Sequence, residues 1–290
     1  MEIFLLIIAF VWLIIATVTD IKTKEIPNWI NYSLIIVALV TYSLISIKSN
    51  SITPILFSII TGAAFFILGS LMYYAKQWGG GDAKLLAAIG TTFPIYPTIL
   101  ENIFTPKFQA PYFPITILIN IIIVGALYGI TILIIKILQN RKKFSEEFKK
   151  VNSKFKRLRN IALPVSILLI VLGYFLSSTY QLKVLTISSG ILILILFYLY
   201  LTIKAAEKTS MFKKIPVEKL REGDWISKEI KIDDKIIYKP KAAGVSKEEI
   251  EEIKKHFKEI EIKDGIVFMP TFLIAIITSL ILGNPILWLF

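Results

Sequence analysis

The chain contains no cysteine and one histidine, His256, among its 290 residues. Without cysteine it can form no disulfide bond, thiol nucleophile, iron–sulfur cluster or cysteine-ligated zinc site. A single histidine also excludes a histidine-built metal site or catalytic triad, and we expect His256 to lie on the solvated face of a lysine-rich helix. We therefore expect no metal and no cofactor. Carboxylates, hydroxyls, lysines and backbone groups must carry any chemistry.

Long apolar runs dominate the sequence. Hydrophobic residues make up 55% of the chain and the mean hydropathy is +0.70, whereas soluble domains are about 45–50% apolar. Crossing a bilayer takes close to 20 apolar residues. The runs of about that length are 3–19, 30–47, 53–75, 115–138, 161–178, 184–203 and 268–287, and a shorter run covers 83–100. The sequence predicts an all-α polytopic membrane protein with about eight hydrophobic segments.

The distribution of charge predicts how these segments are oriented. The chain has 33 Lys and Arg against 21 Asp and Glu, but the basic residues lie between apolar runs rather than in one patch, so we expect no nucleic-acid partner. Nearly all of them fall in 20–29, 76–84, 139–160 and 204–267, and the positive-inside rule places these loops in the cytoplasm. We expect a plasma-membrane protein with both termini outside and a retained first segment. The basic stretch 141–159 is expected to contact anionic lipid.

The polar stretch 204–267 has the pattern of a small α+β cytoplasmic domain. Short strands are predicted at the hydrophobic residues on either side of a turn at Asp233 and Asp234. Ser246 and Glu249 form a capping box, which predicts a helix over 247–259. We therefore divide the chain into a transmembrane bundle over 1–203, this domain over 204–267 and a last transmembrane helix over 268–290.

Only two aspartates, Asp20 and Asp82, occur before residue 224. Both fall at the predicted cytoplasmic edge of the membrane, in a topology derived from lysines and arginines alone. A carboxylate at this depth is costly unless it is paired or hydrated, so each is a candidate functional residue. Taken one at a time, each also fits an ordinary structural role, in a polar loop or as a helix cap.

Three consecutive glycines, Gly79, Gly80 and Gly81, precede Asp82. Such a run favours either positive φ angles or close backbone approach, and it provides a soft hinge. After Asp20 the chain continues to Ile26-Pro27-Asn28, which predicts a turn with Asn28 as the cap of the second helix. Glu25, in the same loop, is either solvated or an acidic contact for a basic ligand.

The segment after Asp82 is too interrupted to face lipid. Gly90, Pro94 and Pro97 break the run 83–100, and non-ideal helices at membrane depth need protein or a cavity around them. We expect a short central helix with Asp82 at its inner end. Small residues in the neighbouring segments are expected to allow close packing around it; they are Gly62, Gly69, Gly125 and Gly129.

Two carboxylates in a partly dry site favour acid–base chemistry. When they face each other they cannot both ionise easily, so one keeps a proton while the other acts as a base. That pair can activate water for attack on a peptide carbonyl and protonate the departing amine.

The sequence Gly79-Gly80-Gly81-Asp82, together with Asp20 and Ile26-Pro27-Asn28, resembles the type IV prepilin leader peptidases, which are GxGD aspartyl proteases of the membrane. The hydrophobic stretches at 111–136 and 269–284 resemble the archaeal preflagellin and prepilin peptidase branch. The resemblance implies that Asp20 and Asp82 are the catalytic dyad and that the three glycines place one of them. It also implies that the two aspartates lie apart in the resting state. The four-cysteine zinc insert of bacterial members is missing, which argues against methyltransferase activity.

The resemblance implies an endopeptidase that removes the basic leader from archaellin or type IV pilin-like precursors, which carry class III signal peptides. A presenilin-like protease shares GxGD but needs a Pro-Ala-Leu motif, and Ala162-Leu163-Pro164 has the wrong order. A cation or proton transporter is a third hypothesis. Transporters usually have broken helices in repeated halves, whereas this sequence predicts one broken helix.

Overall fold

The computed structural model describes residues 1–106, 113–175, 179–232, 235–241, 243–263, 265 and 267–288. The chain divides into two compact units. The first contains Met1–Ile130, Lys241–Ala243 and Ile266–Phe290, and the second contains Thr131–Pro240 and Gly244–Gly265. The division into 1–203, 204–267 and 268–290 stays a prediction.

Helices form nearly all of the first unit. They are α1 (Glu2–Thr23), α2 (Asn28–Ser49), α3 (Thr53–Tyr74), α4 (Gly80–Thr92), the first part of α5 (Phe113–Gln139) and α10 (Met269–Ile281). Six helices of the described residues are long and apolar enough to span a membrane: α1, α2, α3, α5, α7 (Lys156–Phe175) and α8 (Tyr180–Ser210). The helices α4 and α10 have 13 residues each. The structure therefore supports a mainly helical membrane protein, while the count of eight crossings stays a prediction.

The short helix α4 forms the middle of the first unit's core. All its residues from Leu85 to Thr92 are buried. They pack with apolar side chains of α1, α2, α3, α5 and α10, among them Leu13, Leu34, Phe65, Ile117 and Phe272. The prediction of a short central helix is confirmed, because α4 is surrounded by these helices and ends at Thr92, just before Pro94 and Pro97.

Glycines on neighbouring helices allow α4 and α10 to approach closely. A methyl group added at Gly69 would lie 2.8 Å from the Ala83 carbonyl oxygen, and one at Gly62 would collide with Thr91. A methyl group at Gly125 of α5 would lie 3.0 Å from a ring carbon of Phe268. The prediction of close packing around α4 is confirmed at Gly62 and Gly69, whereas Gly125 packs against the start of α10 instead. The prediction is wrong at Gly129, which has no atom within 4 Å of an added methyl group.

The carboxyl end of α4 is bonded to hydroxyl groups of α2 and α3. The last carbonyls of a helix have no partner within the helix. Here the Thr61 hydroxyl donates a hydrogen bond to the Gly90 carbonyl at 2.7 Å. The Ser58 hydroxyl donates to the Thr91 carbonyl at 2.7 Å. The Tyr42 hydroxyl donates to the Thr92 carbonyl at 3.1 Å. These bonds let a 13-residue helix end inside an apolar core without burying free carbonyl groups.

The second unit contains a helical part and a small mixed domain. Its helices are the end of α5, α6 (Arg141–Lys154), α7 and α8. The apolar side of α6 packs on α8, through Phe144, Phe148 and Val151 against Phe197 and Leu201. The basic side of α6 remains exposed, as a lipid-contacting helix requires, but that contact stays a prediction.

In its described residues the mixed domain has five strands and one α-helix. Strands β1 (Phe212–Pro216), β5 (Glu259–Lys263) and β2 (Trp225–Ile226) form an antiparallel sheet in that order, and β3 (Ile230–Ile232) pairs with β4 (Lys235–Tyr238). The predicted turn residues Asp233 and Asp234 lie outside the described residues. The helix α9 (Lys247–His256) begins at the predicted capping box, but it ends before 259, where β5 starts. His256 is exposed at its end, as predicted.

Candidate active site

Asp20 lies in the last turn of α1, on the side of the helix that faces the core. Its residue is 7% exposed, and it follows Leu13 and Ala16 on the buried face at helical spacing. One carboxyl oxygen, Oδ2, accepts a hydrogen bond from the backbone N–H of Met269 at 3.2 Å. Asp20 is therefore not the ordinary loop residue that its sequence position also allowed.

Asp82 lies in the first turn of α4, three residues after Gly79, which caps the helix. The Asp82 Oδ2 atom accepts a hydrogen bond from the Gly79 N–H at 3.1 Å. An acidic side chain at this position bonds one free N–H and interacts favourably with the positive end of the helix dipole. The capping bond therefore also fixes where the Asp82 carboxyl group points.

Close approach explains a glycine at position 81, and none of the three glycines has a positive φ angle. Gly79 is extended, with φ −72° and ψ 161°, while Gly80 and Gly81 belong to the first turn of α4. A methyl group at Gly81 would lie 3.0 Å from the Ile26 Cβ atom. Of the two explanations offered by the sequence, positive φ holds at none of the three glycines, and close approach holds at Gly81.

The loop before α2 and the first turn of α2 contact the glycine loop. Ile26 meets Gly81, and the buried Asn31 donates from Nδ2 to the Gly81 carbonyl at 3.4 Å. The Lys84 ammonium donates to Asn28 Oδ1 at 2.8 Å. The prediction that Asn28 caps α2 is wrong: Asn28 is the first helical residue, and its side chain bonds Lys84 instead of the helix.

The carboxyl groups of Asp20 and Asp82 are close enough to interact electrostatically. They come from different helices and are brought together by the packing of α1 and α2 against α4. The negative charge of one carboxylate opposes ionisation of the other, so the arrangement favours one protonated and one ionised carboxyl group. The expectation that the two aspartates lie apart in the resting state stays a prediction.

Glu25, Tyr128 and Trp78 differ in their relation to this pair. Glu25 is exposed in the loop between α1 and α2, and the structure does not bring it into the pair. The Tyr128 phenol of α5 lies within electrostatic range of Asp20. Trp78, just before the glycines, packs against Phe268 and Phe272 with ring centroids 5.6 and 5.4 Å away.

Two sequence signals could have pointed to the supporting residues. Asn31 is a polar residue on an otherwise apolar helical face, and a buried amide in a membrane helix needs a partner. Lys84 stands two residues after Asp82, where a cation is unfavourable beside a helix N-terminus unless something binds it. No cluster of three or more histidine, aspartate or glutamate side chains suited to a metal occurs within the described ranges.

Fold and site together define a polytopic helical membrane protein with a paired carboxylate site at the ends of two helices. Residues 7–130 match the Type IV leader peptidase family. This segment includes both aspartates, the three glycines and the start of α2. Over this segment the chain is similar to that family.

Several archaeal proteins are similar to the chain. Preflagellin peptidase of Methanococcus voltae is 31% identical over 118 residues, which cover 39% of this chain and 49% of that protein. Preflagellin peptidase of Methanocaldococcus jannaschii is 30% identical over 142 residues, 46% of this chain and 56% of that protein. Prepilin peptidase EppA of Methanothermobacter thermautotrophicus is 24% identical over 155 residues, which cover 52% of this chain and 40% of that protein. The chain spans about half the length of these relatives. No solved structure shows a significant match.

Proposed function

We propose that this protein is an aspartic-type endopeptidase of the plasma membrane that removes the basic leader peptide from archaellin or type IV pilin-like precursors. One observation carries the proposal: Asp20 and Asp82, from two different helices, interact electrostatically beside a glycine loop of the leader peptidase type. The relatives' names, preflagellin peptidase and prepilin peptidase, support the choice of substrate.

The chemistry follows from the two carboxyl groups. One is ionised and takes a proton from a water molecule, which then attacks the scissile carbonyl. The other is protonated and donates its proton to the departing amine as the tetrahedral intermediate collapses. The peptide bond breaks, a carboxylic acid and an amine form, and the pair exchanges its acid and base roles for the next turnover.

The proposed side of the membrane follows from the substrate. A leader rich in Lys or Arg ahead of an apolar helix stays in the cytoplasm, so we place the cut at the cytoplasmic boundary. The exposed Glu25 lies five residues after Asp20 and is available to a basic leader, for which it would supply a charge-assisted contact. The segment 204–267 is proposed as a cytoplasmic domain that selects precursors or braces the bundle.

Incubation of the detergent-solubilised full chain with a panel of precursor peptides, followed by mass spectrometry, tests this function. We expect cleavage at the end of the basic leader, lost in Asp20→Asn and in Asp82→Asn while both variants purify as folded proteins. Asp224→Asn is the matched control, because that carboxylate bonds the Arg221 N–H in the mixed domain. Full activity in either active-site variant would refute the assignment.

The same panel separates the two rival functions. A presenilin-like protease would cut inside an apolar helix, and the mass of the product would show a cut within the hydrophobic stretch of the precursor. A cation or proton transporter would cut none of the peptides but would move protons or cations across vesicles that contain the protein. Cleavage at the leader boundary without ion movement supports the peptidase over both.

A further inference from the structure

Asp20 is bonded to a part of the chain that is far away in sequence. Its Oδ2 atom accepts the Met269 N–H at 3.2 Å, across 249 positions, in a buried environment. Met269 is the first residue of α10. The segment that matches the leader peptidase family ends at 130, so this contact comes from outside the matched region.

The Met269 N–H is available because of where it stands in α10. The first four N–H groups of a helix have no carbonyl partner within the helix. Pro270 follows and has no N–H, while the Thr271 N–H bonds the Phe268 carbonyl. Met269 therefore presents a donor that costs α10 no internal bond, and the positive end of the helix dipole favours a carboxylate there.

Packing on both sides holds the start of α10 in this position. Phe268 lies against Gly125 of α5, where even a methyl group would come within 3.0 Å of its ring. Phe268 and Phe272 pack on each other, with ring centroids 5.4 Å apart, and both pack on Trp78. Trp78 directly precedes the glycines that place Asp82. The first turn of α10 thus contacts Asp20 directly and the Asp82 loop through Trp78.

We propose that the first turn of α10 is a positioning element of the catalytic site, in which the Met269 N–H orients Asp20 and Phe268 and Phe272 hold Trp78 beside the glycine loop. This inference rests on the proposed function and extends it to a helix outside the family match. It requires that loss of the N–H lower the rate of the chemical step rather than the affinity for the precursor, because Met269 acts through Asp20.

The test replaces one backbone amide by an ester. Full-length protein is made with the α-hydroxy acid analogue of methionine at 269, which removes the N–H and keeps the side chain. A hydrogen bond to an ionised group is strong, so we expect kcat to fall roughly tenfold or more, with KM within about twofold and the unfolding temperature unchanged.

The matched control is the same change at Ile277 in the middle of α10, where the N–H bonds within the helix and the side chain is 38% exposed. This ester should lower the unfolding temperature and leave kcat unchanged. A second variant, Phe268→Leu, keeps an apolar side chain but loses the ring contacts, and should also lower kcat more than it raises KM.

Two results would overturn the inference. One is normal kcat in the 269 ester; the other is a fall in kcat that accompanies a fall in unfolding temperature as large as that of the 277 ester. In either case, an inactive Asp20→Asn variant would leave the proposed peptidase function standing. Activity in Asp20→Asn would remove the proposed function itself, so the two failures are distinguishable.

Discussion

The Lys84 ammonium donates a 2.8 Å hydrogen bond to the Asn28 side chain, across 56 positions in the sequence. Asn28 begins α2, and Lys84 stands two residues after Asp82. Asp20 lies at the end of α1, the helix before α2, and Asp82 lies in α4 with Lys84. The bond therefore links the start of α2 to α4 and bears on how the two carboxyl groups are placed.

Lys84→Met should lower kcat for leader cleavage several-fold, because methionine keeps an apolar stem but cannot donate to Asn28. Asn28→Ala should have a similar effect, and the double variant should be little worse than either single one. Such non-additivity corresponds to a coupling of about 0.5 kcal/mol or more for residues in contact. A double-mutant cycle of kcat measures it. Lys48→Met, at the far end of α2, is the control, and strictly additive effects would show that the bond does not matter for catalysis.

Gly80→Pro tests whether the glycine loop moves during turnover. Gly80 is the first residue of α4 and follows an extended Gly79, a combination that accepts proline without strain. An added Cβ atom would lie 3.6 Å from a ring carbon of Tyr73, an ordinary contact. We expect the variant to fold as stably as the parent but to turn over more slowly if closure rotates the backbone at this residue.

Two glycine-to-alanine changes are controls for that measurement. Gly81→Ala should destabilise the protein, since its methyl group meets Ile26 at 3.0 Å, whereas Gly129→Ala in α5 has open space and should stabilise by up to about 1 kcal/mol. Unfolding temperature and kcat are measured together for all variants. Undiminished turnover in Gly80→Pro would mean that the site is already formed at rest.

Ser58→Ala and Tyr42→Phe should each destabilise the first unit by about 1–3 kcal/mol, because each leaves a buried carbonyl at the end of α4 without its donor. Ser188→Ala, where an exposed hydroxyl bonds its own helix, should change stability by less than about 0.5 kcal/mol. Thermal unfolding in detergent provides the comparison. Equal effects at the three sites would contradict the role assigned to these hydroxyls.

Single-cysteine labelling tests the proposed orientation without background, since the natural chain has no cysteine. A cysteine at Lys150 or Lys254 should react with a membrane-impermeant maleimide only after the cytoplasmic side is opened. A cysteine at Lys48 should react from outside in intact cells. The reversed pattern would place both aspartates on the other side of the membrane from the proposed substrate leader.

The sequence predicted the features that arise from local chemistry. The breaks at Gly90, Pro94 and Pro97 predicted the short α4, and Ser246 with Glu249 predicted the start of α9, because proline geometry and capping are local effects. Asp20 and Asp82 could be singled out because carboxylates are rare at membrane depth.

The remaining parts of the site depend on tertiary packing. A backbone donor such as the Met269 N–H has no side-chain signature, so its bond to Asp20 could not be predicted. Asn28 suits a helix cap by residue type, but Lys84 from another helix takes its side chain. Gly129 resembles Gly125 in the sequence, and only the position of Phe268 distinguishes them.

The hydroxyls of Tyr42, Ser58 and Thr61 have a mechanical consequence. They tether one end of α4, while the other end leaves an extended Gly79 and carries Asp82. Thirteen residues make a rod about 20 Å long. Asp82 lies eight to ten residues from the bonded carbonyls, about 12–15 Å, so a tilt of roughly 10° about that end would move Asp82 by about 2–3 Å, close to one hydrogen-bond length. A small rotation of α4 about the hydroxyl-bonded end therefore produces its largest displacement at Asp82, where the chemistry is proposed to occur.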